Sequence, residues 1–595
     1  MALIHIKIEG HDHVVEDGQT VLEAARACGY EIPSLCTFGK GECSRGSCRA
    51  CLVEVKGARG LVASCVYPVN DGMEIIISSE KAVKARRASV ELLLSTHTTD
   101  CKVCDKADFC ELLHVAHITG AREGMFRGEV LEGTYDDLTP SIVRDSTKCI
   151  LCGRCIERCK SAHGKGVLAF INRGFKTVVG PAGNVSLDES PCLMCGQCVN
   201  VCPTGALMAK SEVARVDEAI SSGKHVIVQT APAVRAALGE CFGMPIGTPV
   251  TGKMVSALKH LGFSKVYDTD FGADLTIMEE ANELVHRIQN NEPLPMITSC
   301  SPGWVNYCET YYPDLLPHLS SCKSPHQMQG AIMKTYYAEK HNIDPKDIFS
   351  VSVMPCTAKK YEKERPQMQR VGIKDVDAVI TTRELADMIK RTGLVFPRLV
   401  EEEYDRDIMG DYTGAGVIFG VTGGVMEAAL RTAYRVLEGK ESDPVEFHQV
   451  RGLQGIKEAT ITMGGMDVNV AVASGMANAQ VLLDQIRAGE SKYHFIEIMC
   501  CPGGCVNGGG QPYVRHCFHL TDDPADVENY IQLRANALYS EDERQELRQS
   551  HNNPQIIELY DKFLGEPNSE IAHHLLHTTY AERKPFRIKA QATEE

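Results

Sequence analysis

The sequence predicts a multidomain protein built from α+β and α/β units. Its 595 residues are enough for three to five domains of ordinary size. Cysteines recur at short intervals in the first 210 residues, whereas apolar runs alternate with helical segments after about residue 215. The first pattern is typical of small metal-binding modules. The second is typical of a large α/β domain.

Composition narrows the class of protein. Hydrophobic residues make up 44% of the chain and the net charge is −16, which argues against a nucleic-acid surface. Ile4, Ile6 and Ile8 alternate as in a half-buried strand, so the chain does not open on a secretory signal. No apolar run reaches the roughly 18 residues that a membrane span needs. We therefore expect a cytoplasmic protein with no nucleic-acid or membrane partner, in which the 26 cysteines serve metals rather than disulfides.

Four cysteines mark the first predicted domain, residues 1–80. Eleven, two and thirteen residues separate Cys36, Cys48, Cys51 and Cys65. The block at residues 46–55, G-S-C-R-A-C-L-V-E-V, is similar to the [2Fe–2S] ferredoxin domains that open multi-cluster enzymes, although its spacing departs from the plant type. The resemblance implies a β-grasp fold with one [2Fe–2S] cluster on these four thiolates.

A histidine and three cysteines characterise the second predicted domain, residues 81–138. An amphipathic segment at 81–96 predicts a linking helix. It leads to His97, Cys101, Cys104 and Cys110, which together offer four ligands. Zinc is one candidate, because Cys₃His is a common structural zinc set. A [4Fe–4S] cluster with one histidine ligand is the other.

Two cysteine runs give the strongest local signal, in the third predicted domain, residues 139–212. Each run has the spacing C-x₂-C-x₂-C-x₃-C, and this is the bacterial two-cluster ferredoxin pattern, whose fourth cysteine binds the other cluster. We therefore expect two [4Fe–4S] clusters, one on Cys149, Cys152, Cys155 and Cys202, and the other on Cys192, Cys195, Cys198 and Cys159.

Residues 213–515 are predicted to form the large α/β domain. Strands are expected at His225–Thr230 and at residues 295–298, 348–353, 378–380 and 417–419, with a helix at 254–261. Residues 414–420 have the wrong spacing for a dinucleotide loop and predict tight strand–helix packing instead. The strands at 295–298 and 348–353 run into cysteine-bearing loops, as expected where ligands bind beyond carboxyl ends of strands.

Three cysteine-bearing loops carry the sharpest resemblance. The first loop (residues 298–304) reads T-S-C-S-P-G-W, the second (354–362) reads M-P-C-T-A-K-K-Y-E, and the third (496–512) holds Cys500, Cys501 and Cys505 among glycines. They resemble the signature loops of the [FeFe]-hydrogenases, and the resemblance extends over the whole chain. It implies reversible H₂ oxidation and proton reduction at a six-iron H-cluster, a [4Fe–4S] cubane joined to a diiron subcluster with CO, CN and dithiolate ligands. It also favours the iron–sulfur alternative at His97.

The resemblance assigns roles residue by residue. Cys356, Cys501 and Cys505 would bind the cubane, with Cys505 bridging to the diiron subcluster. Lys359 would lie near one cyanide, with Met354 and Met499 flanking the diiron site and Ala231 and Pro232 facing the other cyanide. Glu280, Glu283, Arg287 and Ser320 would form the outer proton path, as carboxylates and a hydroxyl can.

The first loop departs from the family pattern. The family commonly has two adjacent cysteines there, a proton relay followed by a cubane ligand, but this chain has Cys300 and Ser301. Three arrangements are open: Cys300 ligates the cubane, Ser301 ligates as an alkoxide, or another cysteine such as Cys500 takes over. We favour Cys300 near the cubane.

Residues 516–595 are expected to form a helical tail similar to the small-subunit segment that wraps hydrogenase catalytic domains. Asn553 and Pro554 predict a helix start and Gly565 its end. His573, His574 and His577 are expected to pack or contact solvent rather than bind metal.

Electron partners follow from the resemblance. One [2Fe–2S] and three accessory [4Fe–4S] clusters imply an electron conduit. Its partner would be ferredoxin, or the flavin- and NAD(P)-binding diaphorase subunits of an electron-bifurcating hetero-oligomer, or both. Assembly of the H-cluster would need maturation proteins. The alternatives are a sensory or low-activity relative, and an electron-transfer or scaffold protein without the diiron site.

Overall fold

The computed structural model describes residues 2–39, 41–126, 129, 133–515 and 525–586. Residues 516–524 and 587–595 of the expected tail therefore lie outside the described residues. None of the helices in the described part has both the length and the apolar character that crossing a lipid bilayer requires. The architecture is mixed α/β and divides into several regions along the chain.

The N-terminal region is a five-stranded sheet with one helix. The strand order is β2-β1-β7-β5-β6, in which β1 pairs antiparallel with β2 and parallel with β7. Ile6 and Ile8 are buried, as their alternation predicts. A capping box between Thr20 and Glu23 starts the helix. The elements are β1 (Leu3–Ile8), β2 (His11–Glu16), α1 (Val21–Ala27), β3 (Thr37–Phe38), β4 (Cys43–Ser44), β5 (Leu52–Val55), β6 (Val62–Ala63) and β7 (Glu74–Ile76).

The next region is built around cysteine-bearing turns. The helix predicted at 81–96 is confirmed as α2. Gly153 and Gly196 take left-handed backbone conformations directly before α4 and α5, where the chain turns from a cysteine loop into a helix. The elements are α2 (Glu80–Thr96), α3 (Glu111–Thr119), β8 (Tyr135–Asp136), β9 (Ile142–Asp145), α4 (Arg154–His163), β10 (Ala169–Ile171), β11 (Val178–Gly180), α5 (Gln197–Val201) and β12 (Leu207–Ala209).

Two four-stranded sheets form the framework of the large region. The first has the order β14-β13-β16-β19 and is entirely parallel. The second has the order β15-β22-β21-β20, with only β20 antiparallel. Their strands are β13 (His225–Thr230), β14 (Lys265–Asp268), β15 (Met296–Ile297), β16 (Ile348–Met354), β19 (Ala378–Thr381), β20 (Ile456–Met463), β21 (Met466–Ser474) and β22 (Phe495–Met499), and a small hairpin adds β17 (Gln369–Arg370) and β18 (Ile373–Lys374).

Helices cover both sheets and connect their strands. They are α6 (Val213–Ser221), α7 (Pro232–Arg235), α8 (Thr251–His260), α9 (Asp270–Asn290), α10 (Pro302–Tyr311), α11 (Pro325–Ile332), α12 (Ala338–His341), α13 (Ala358–Glu362), α14 (Thr382–Arg391), α15 (Gly414–Val417), α16 (Gly424–Glu438) and α17 (Met476–Arg487). Helix α9 is buried along most of its length, which an apolar face alone would not require. It carries several buried carboxylates described below.

Most predicted elements of this region are confirmed, and one is wrong. The structure has β13, β15, β16, β19 and α8 where the sequence places them. The strand expected at 417–419 is instead the end of α15 followed by a 3₁₀ turn, Ile418–Gly420. A short buried apolar run fits a helix as well as a strand. Here Gly416 and Gly420 allow helical turns to pack directly on Asp270 and Leu538.

The C-terminal tail is helical, as expected, and packs on the large region. Helix α20 begins at Pro554 with Asn553 as its cap, and Gly565 ends the π turn Tyr560–Leu564 that follows. Arg534 forms a buried ion pair with Glu240, with distances of 2.8 and 2.6 Å. The tail helices are α18 (Ala525–Glu528), α19 (Tyr530–Arg544), α20 (Pro554–Leu559) and α21 (Glu570–Leu576).

Candidate functional site

The three cysteine-bearing loops converge on one cavity between the two sheets. Each loop leaves the carboxyl end of a parallel strand: β15, β16 and β22. The cavity has an empty volume of about 840 Å³, which includes space open to solvent. We call it the thiol cavity, because its lining includes six cysteines: Cys195, Cys300, Cys356, Cys500, Cys501 and Cys505. Ala231, Pro232, Met354, Lys359 and Met499 also line it.

Glycines in the third loop allow it to approach the other elements. A Cβ on Gly508 would lie 2.2 Å from the carbonyl oxygen of Pro355, and one on Gly509 would lie 2.2 Å from that of Cys195. Gly504 has φ +95, and a Cβ there would lie 2.6 Å from the amide nitrogen of Thr422. The third loop is therefore pressed against both the second loop and the two-cluster region, and bulkier residues would separate them.

The second loop presents a buried lysine to the cavity. Lys359 Nζ lies 3.0 Å from the Cys300 carbonyl oxygen and 2.9 Å from Glu362 Oε2. His326 Nε2 lies 2.7 Å from the same Glu362 oxygen. Burial alone would raise the pKa of Glu362, but Lys359 and His326 outweigh it and lower the pKa to about 2. The carboxylate therefore stays charged and fixes the lysine at the wall of the cavity.

The first loop is tied to the strands below it. The indole of Trp304, fully buried, donates to the Thr298 carbonyl at 2.9 Å. The hydroxyl of Ser301 accepts a hydrogen bond from the backbone amide of Cys500 at 3.2 Å. Burial raises the pKa of the Cys300 thiol well above its ordinary value, and the charge of Glu280 adds to the rise. The first loop thus contributes one thiol to the cavity and one hydroxyl to the third loop.

The four residues expected to form the proton path lie together. Burial and the nearby Glu283 raise the pKa of Glu280 to about 8, although Ser320 and the Ser299 backbone act to lower it. Ser320 Oγ donates to Glu283 at 3.0 Å. Arg287 binds the other Glu283 oxygen at 2.5 and 3.1 Å. A buried carboxyl that is neutral near pH 7 is a suitable proton carrier.

The structure adds Ser321 and two tail residues, Tyr560 and His577, to the neighbourhood of this path. Ser321 Oγ lies 3.2 Å from Glu283 Oε2 and 2.8 Å from His577 Nδ1. His577 Nε2 lies 2.9 Å from Glu279 Oε2, and Tyr560 also donates to Glu279. The sequence predicted packing for His577, and it is indeed buried. Its contacts span 298 positions of sequence, so no local pattern could reveal them.

The two cysteine runs of residues 139–212 form two separate groups of thiols. A cavity with an empty volume of about 470 Å³ is lined by Cys149, Cys152, Cys155 and Cys202. Burial, Cys195 and Cys159 all raise the pKa of Cys192, which places Cys159 with the other run. Each group is thus three cysteines of one run with the fourth of the other. Groups of four converging thiols suit iron–sulfur clusters, and several of these sulfurs also accept backbone amide hydrogen bonds.

The N-terminal thiols are also grouped. Cys36, Cys48, Cys51 and Cys65 are buried, and hydrogen bonds from Cys48 and Cys65 lower the pKa of Cys36. In the second region His97 caps the end of α2, and its Nδ1 atom is buried without a partner. Burial raises the pKa of Cys101 and Cys110, and Cys104 adds to both. The four N-terminal thiols, and His97 with its three cysteines, fit a metal-bound state better than a metal-free core.

Family models match most of the chain. The iron only hydrogenase large subunit, C-terminal domain, matches residues 224–509, and the iron hydrogenase small subunit matches 528–583. A 2Fe-2S iron-sulfur cluster binding domain matches 2–80, the NADH-ubiquinone oxidoreductase-G iron-sulfur binding region matches 86–124, and a 4Fe-4S dicluster domain matches 148–206.

Curated relatives match over the whole length. The NADP-reducing hydrogenase subunit HndD of Solidesulfovibrio fructosivorans is 48% identical over 98% of this chain and 100% of its own. Iron hydrogenase 1 of Clostridium pasteurianum is 45% identical over 97% and 99%. Among solved structures, a variant of the [FeFe]-hydrogenase HydA1 from Chlamydomonas reinhardtii is 43% identical, with TM-score 0.55 over 63% of this chain and 99% of that one.

Proposed function

The chain belongs to the iron-only, or [FeFe], hydrogenase family, and from that premise we propose that it interconverts H₂ with protons and electrons in the thiol cavity. The observation that carries the proposal is the convergence of three cysteine-bearing loops on a buried cavity that also meets Lys359 and the path to Glu280. When bound there, a six-iron H-cluster supplies an electron-rich iron centre that can form or split the H–H bond.

The residues of the cavity would hold and position that group. Cys356, Cys501 and Cys505 offer thiolates to the cubane. Lys359, held by Glu362, offers a charged hydrogen-bond donor to an anionic cyanide. Part of the remaining wall is apolar and polarizable, which helps to exclude water, and includes Ala231, Pro232, Met354 and Met499.

Protons would enter and leave along α9. The Cys300 thiol and the neutral Glu280 carboxyl can each donate and accept a proton. Ser320, hydrogen-bonded to Glu283, continues the route, and Arg287 orients Glu283. The Ser321 hydroxyl and His577 lie next in line beyond Glu283.

Electrons would pass through accessory clusters in the first three regions. We assign a [2Fe–2S] cluster to a β-grasp ferredoxin-like domain at 1–80, a His97-ligated [4Fe–4S] cluster at 81–138 and two [4Fe–4S] clusters at 139–212, with the catalytic domain at 213–515 and the tail at 516–595. The ligands imply about 20 iron atoms per chain. Metal analysis tests the assignment, and zinc at His97, Cys101, Cys104 and Cys110 would contradict it.

Partner subunits would connect these clusters to the cell's electron carriers. The relative HndD is a subunit of an NADP-reducing hydrogenase, which supports a hetero-oligomer with flavin- and NAD(P)-binding subunits, with ferredoxin as a further electron partner. Maturation proteins would build the diiron subcluster. Purification from the native host tests this, because co-elution of flavin-bearing subunits is expected.

Steady-state H₂ uptake and evolution by the matured chain, with a redox dye as partner, test the proposed activity. We expect sustained turnover in both directions. Marginal turnover with a complete H-cluster would favour a sensory role instead. No turnover, with accessory clusters loaded and the diiron subcluster absent, would favour an electron-transfer or scaffold role.

A further inference from the structure

We propose that Cys500 supplies the fourth thiolate of the cubane, which leaves the Cys300 thiol free for proton transfer. The inference rests on the proposed function, because it concerns the cluster that the thiol cavity would hold. It differs from the sequence-based expectation, in which Cys300 itself lies at the cubane.

The cubane needs a fourth protein ligand. Cys356, Cys501 and Cys505 supply three thiolates, and the other candidates in the cavity lining near the first loop are Cys300, Ser301 and Cys500. Thiolate is a much better ligand for iron–sulfur clusters than an alcohol oxygen. The choice therefore depends on which thiol faces the other three.

Ser301 already has a structural task. Its hydroxyl oxygen accepts the backbone amide proton of Cys500 at 3.2 Å and so connects the first loop to the third. Ser301 also stands immediately before α10, which begins at Pro302. A serine that fixes the position of Cys500 explains why the first loop can lack a second thiol without separating from the cavity.

The side chain of Cys500 lies against the first loop. A Cβ on Gly303 would be only 2.7 Å from the Cys500 sulfur, so the thiol occupies the space beside the backbone two residues after Ser301. Cys500 follows the last residue of β22, at a bend where strand alternation ends. Two successive side chains, Cys500 and Cys501, can therefore both line the cavity, and they do.

The two candidate thiols have different neighbours. The groups around Cys500 are other thiols: Cys195, Cys501 and Cys356. Glu280 and Lys359 are the charged groups that act most strongly on Cys300, followed by Glu497 and then by the Cys505 thiol. Carboxylates and a lysine thus act more strongly on Cys300 than a cluster-binding thiol does, whereas thiols are the main neighbours of Cys500.

Cys500 also lies beside the electron path. Cys195 and Cys500 line the same thiol cavity. Cys195 is one of the thiols assigned to an accessory [4Fe–4S] cluster. If Cys500 binds the cubane, one ligand of each cluster lines this cavity, and electrons would have a route between the two clusters there.

The test uses the full chain produced without diiron maturation proteins, so that only iron–sulfur clusters are loaded. Iron content and the EPR spectrum of the reduced protein are measured for Cys500→Ala, Cys300→Ala and Ser301→Ala. We expect Cys500→Ala to lose about four iron atoms and the cubane signal, since one [4Fe–4S] cluster is lost. Cys300→Ala and Ser301→Ala should keep both.

A relocated ligand provides the matched rescue. In the double variant Ser301→Cys, Cys500→Ala, a thiol returns to the first loop, and we expect the four iron atoms and the signal to return. Accessory-cluster signals that stay unchanged in Cys500→Ala would show that the chain still folds. If Cys500→Ala loses every cluster, two other variants decide the question. The double variant should regain the cubane signal, and Cys500→Ser should show a shifted cubane signal.

Two results would overturn the inference: a complete cubane in Cys500→Ala, or loss of the cubane in Cys300→Ala. Either could occur while the unmodified chain, matured in full, still turns over H₂. Failure of the inference is therefore distinguishable from failure of the proposed function, which would appear as a wild-type chain that has its accessory clusters but no H-cluster and no turnover.

Discussion

The ammonium group of Lys359 donates a hydrogen bond to the carbonyl oxygen of Cys300, with 3.0 Å between nitrogen and oxygen. This bond joins the second loop to the first at the wall of the thiol cavity. The lysine also donates to Glu362, and His326 in turn contacts the same Glu362 oxygen. The cation is therefore fixed before any ligand enters, which lowers the entropy cost of binding an anionic group there.

Lys359→Met should impair binding of the diiron subcluster, because it removes the buried cation that faces the cavity. We expect weaker infrared bands from CO and CN and lower H₂ turnover, with the accessory clusters unchanged. Lys360→Met is the matched control, since Lys360 is also buried but pairs with Glu384 and does not line the cavity. A full infrared spectrum and full activity in Lys359→Met would contradict this role of Lys359.

Glu280→Gln should slow turnover on the order of 10²- to 10⁴-fold, because the amide cannot carry a proton. Its infrared and EPR spectra should stay like those of the wild type. Glu279→Gln serves as control, because Glu279 lies on the same buried helix but binds Tyr560 and His577. Unchanged turnover in Glu280→Gln would remove this residue from the proton path.

The raised pKa of Glu280 also predicts how stability depends on pH. The folded protein holds this proton up to a pKa of about 8, against an ordinary value of 4.5. The neutral carboxyl contributes its full stabilisation below pH 4.5. Between pH 4.5 and 8 this stabilisation is lost, and the free energy of unfolding falls by at most about 1.4 kcal/mol per pH unit. Thermal unfolding of wild type and Glu280→Gln should therefore diverge between pH 4.5 and 8. If the unfolding temperatures of the two proteins change in parallel over this pH range, the raised pKa of Glu280 is contradicted.

Arg534 should anchor the tail to the third loop. It pairs with buried Glu240 and donates to the Val506 carbonyl at 2.8 Å. Arg534→Met leaves a buried carboxylate unpaired, which should destabilise the protein by about 3–5 kcal/mol and lower the melting temperature. Adding Glu240→Gln should recover part of the loss. Lys562→Met, which breaks an exposed pair with Glu558, should change little.

Local cysteine spacing explains why the ligand sets of the accessory clusters could be predicted from the sequence. In each accessory group at least three of the four ligands lie within 30 residues of one another, so the sequence alone indicates the sets, and the structure brings the crossed fourth ligands, Cys202 and Cys159, to them. The strands β15 and β16 were predicted from their apolar runs, each of which ends at a cysteine-bearing loop.

Other features depended on packing or on a signal that was overlooked. The apolar run at 417–419 has no periodicity that separates helix from strand, and contacts with distant Asp270 and Leu538 decide it. The hairpin of β20 and β21 did have a signal, since Gly464 and Gly465 form a two-residue turn between two strand-like runs. The contact of His577 with Glu279 had no local sequence signal.

The infrared spectrum of the fully matured chain tests the central claim most directly. CO and CN ligands on iron absorb where protein groups do not, so their bands report the diiron subcluster itself. We predict such bands, and we predict that they shift when H₂ is added. A chain with its accessory clusters loaded, produced with maturation proteins and still without these bands, would contradict the assignment of the thiol cavity as a hydrogenase active site.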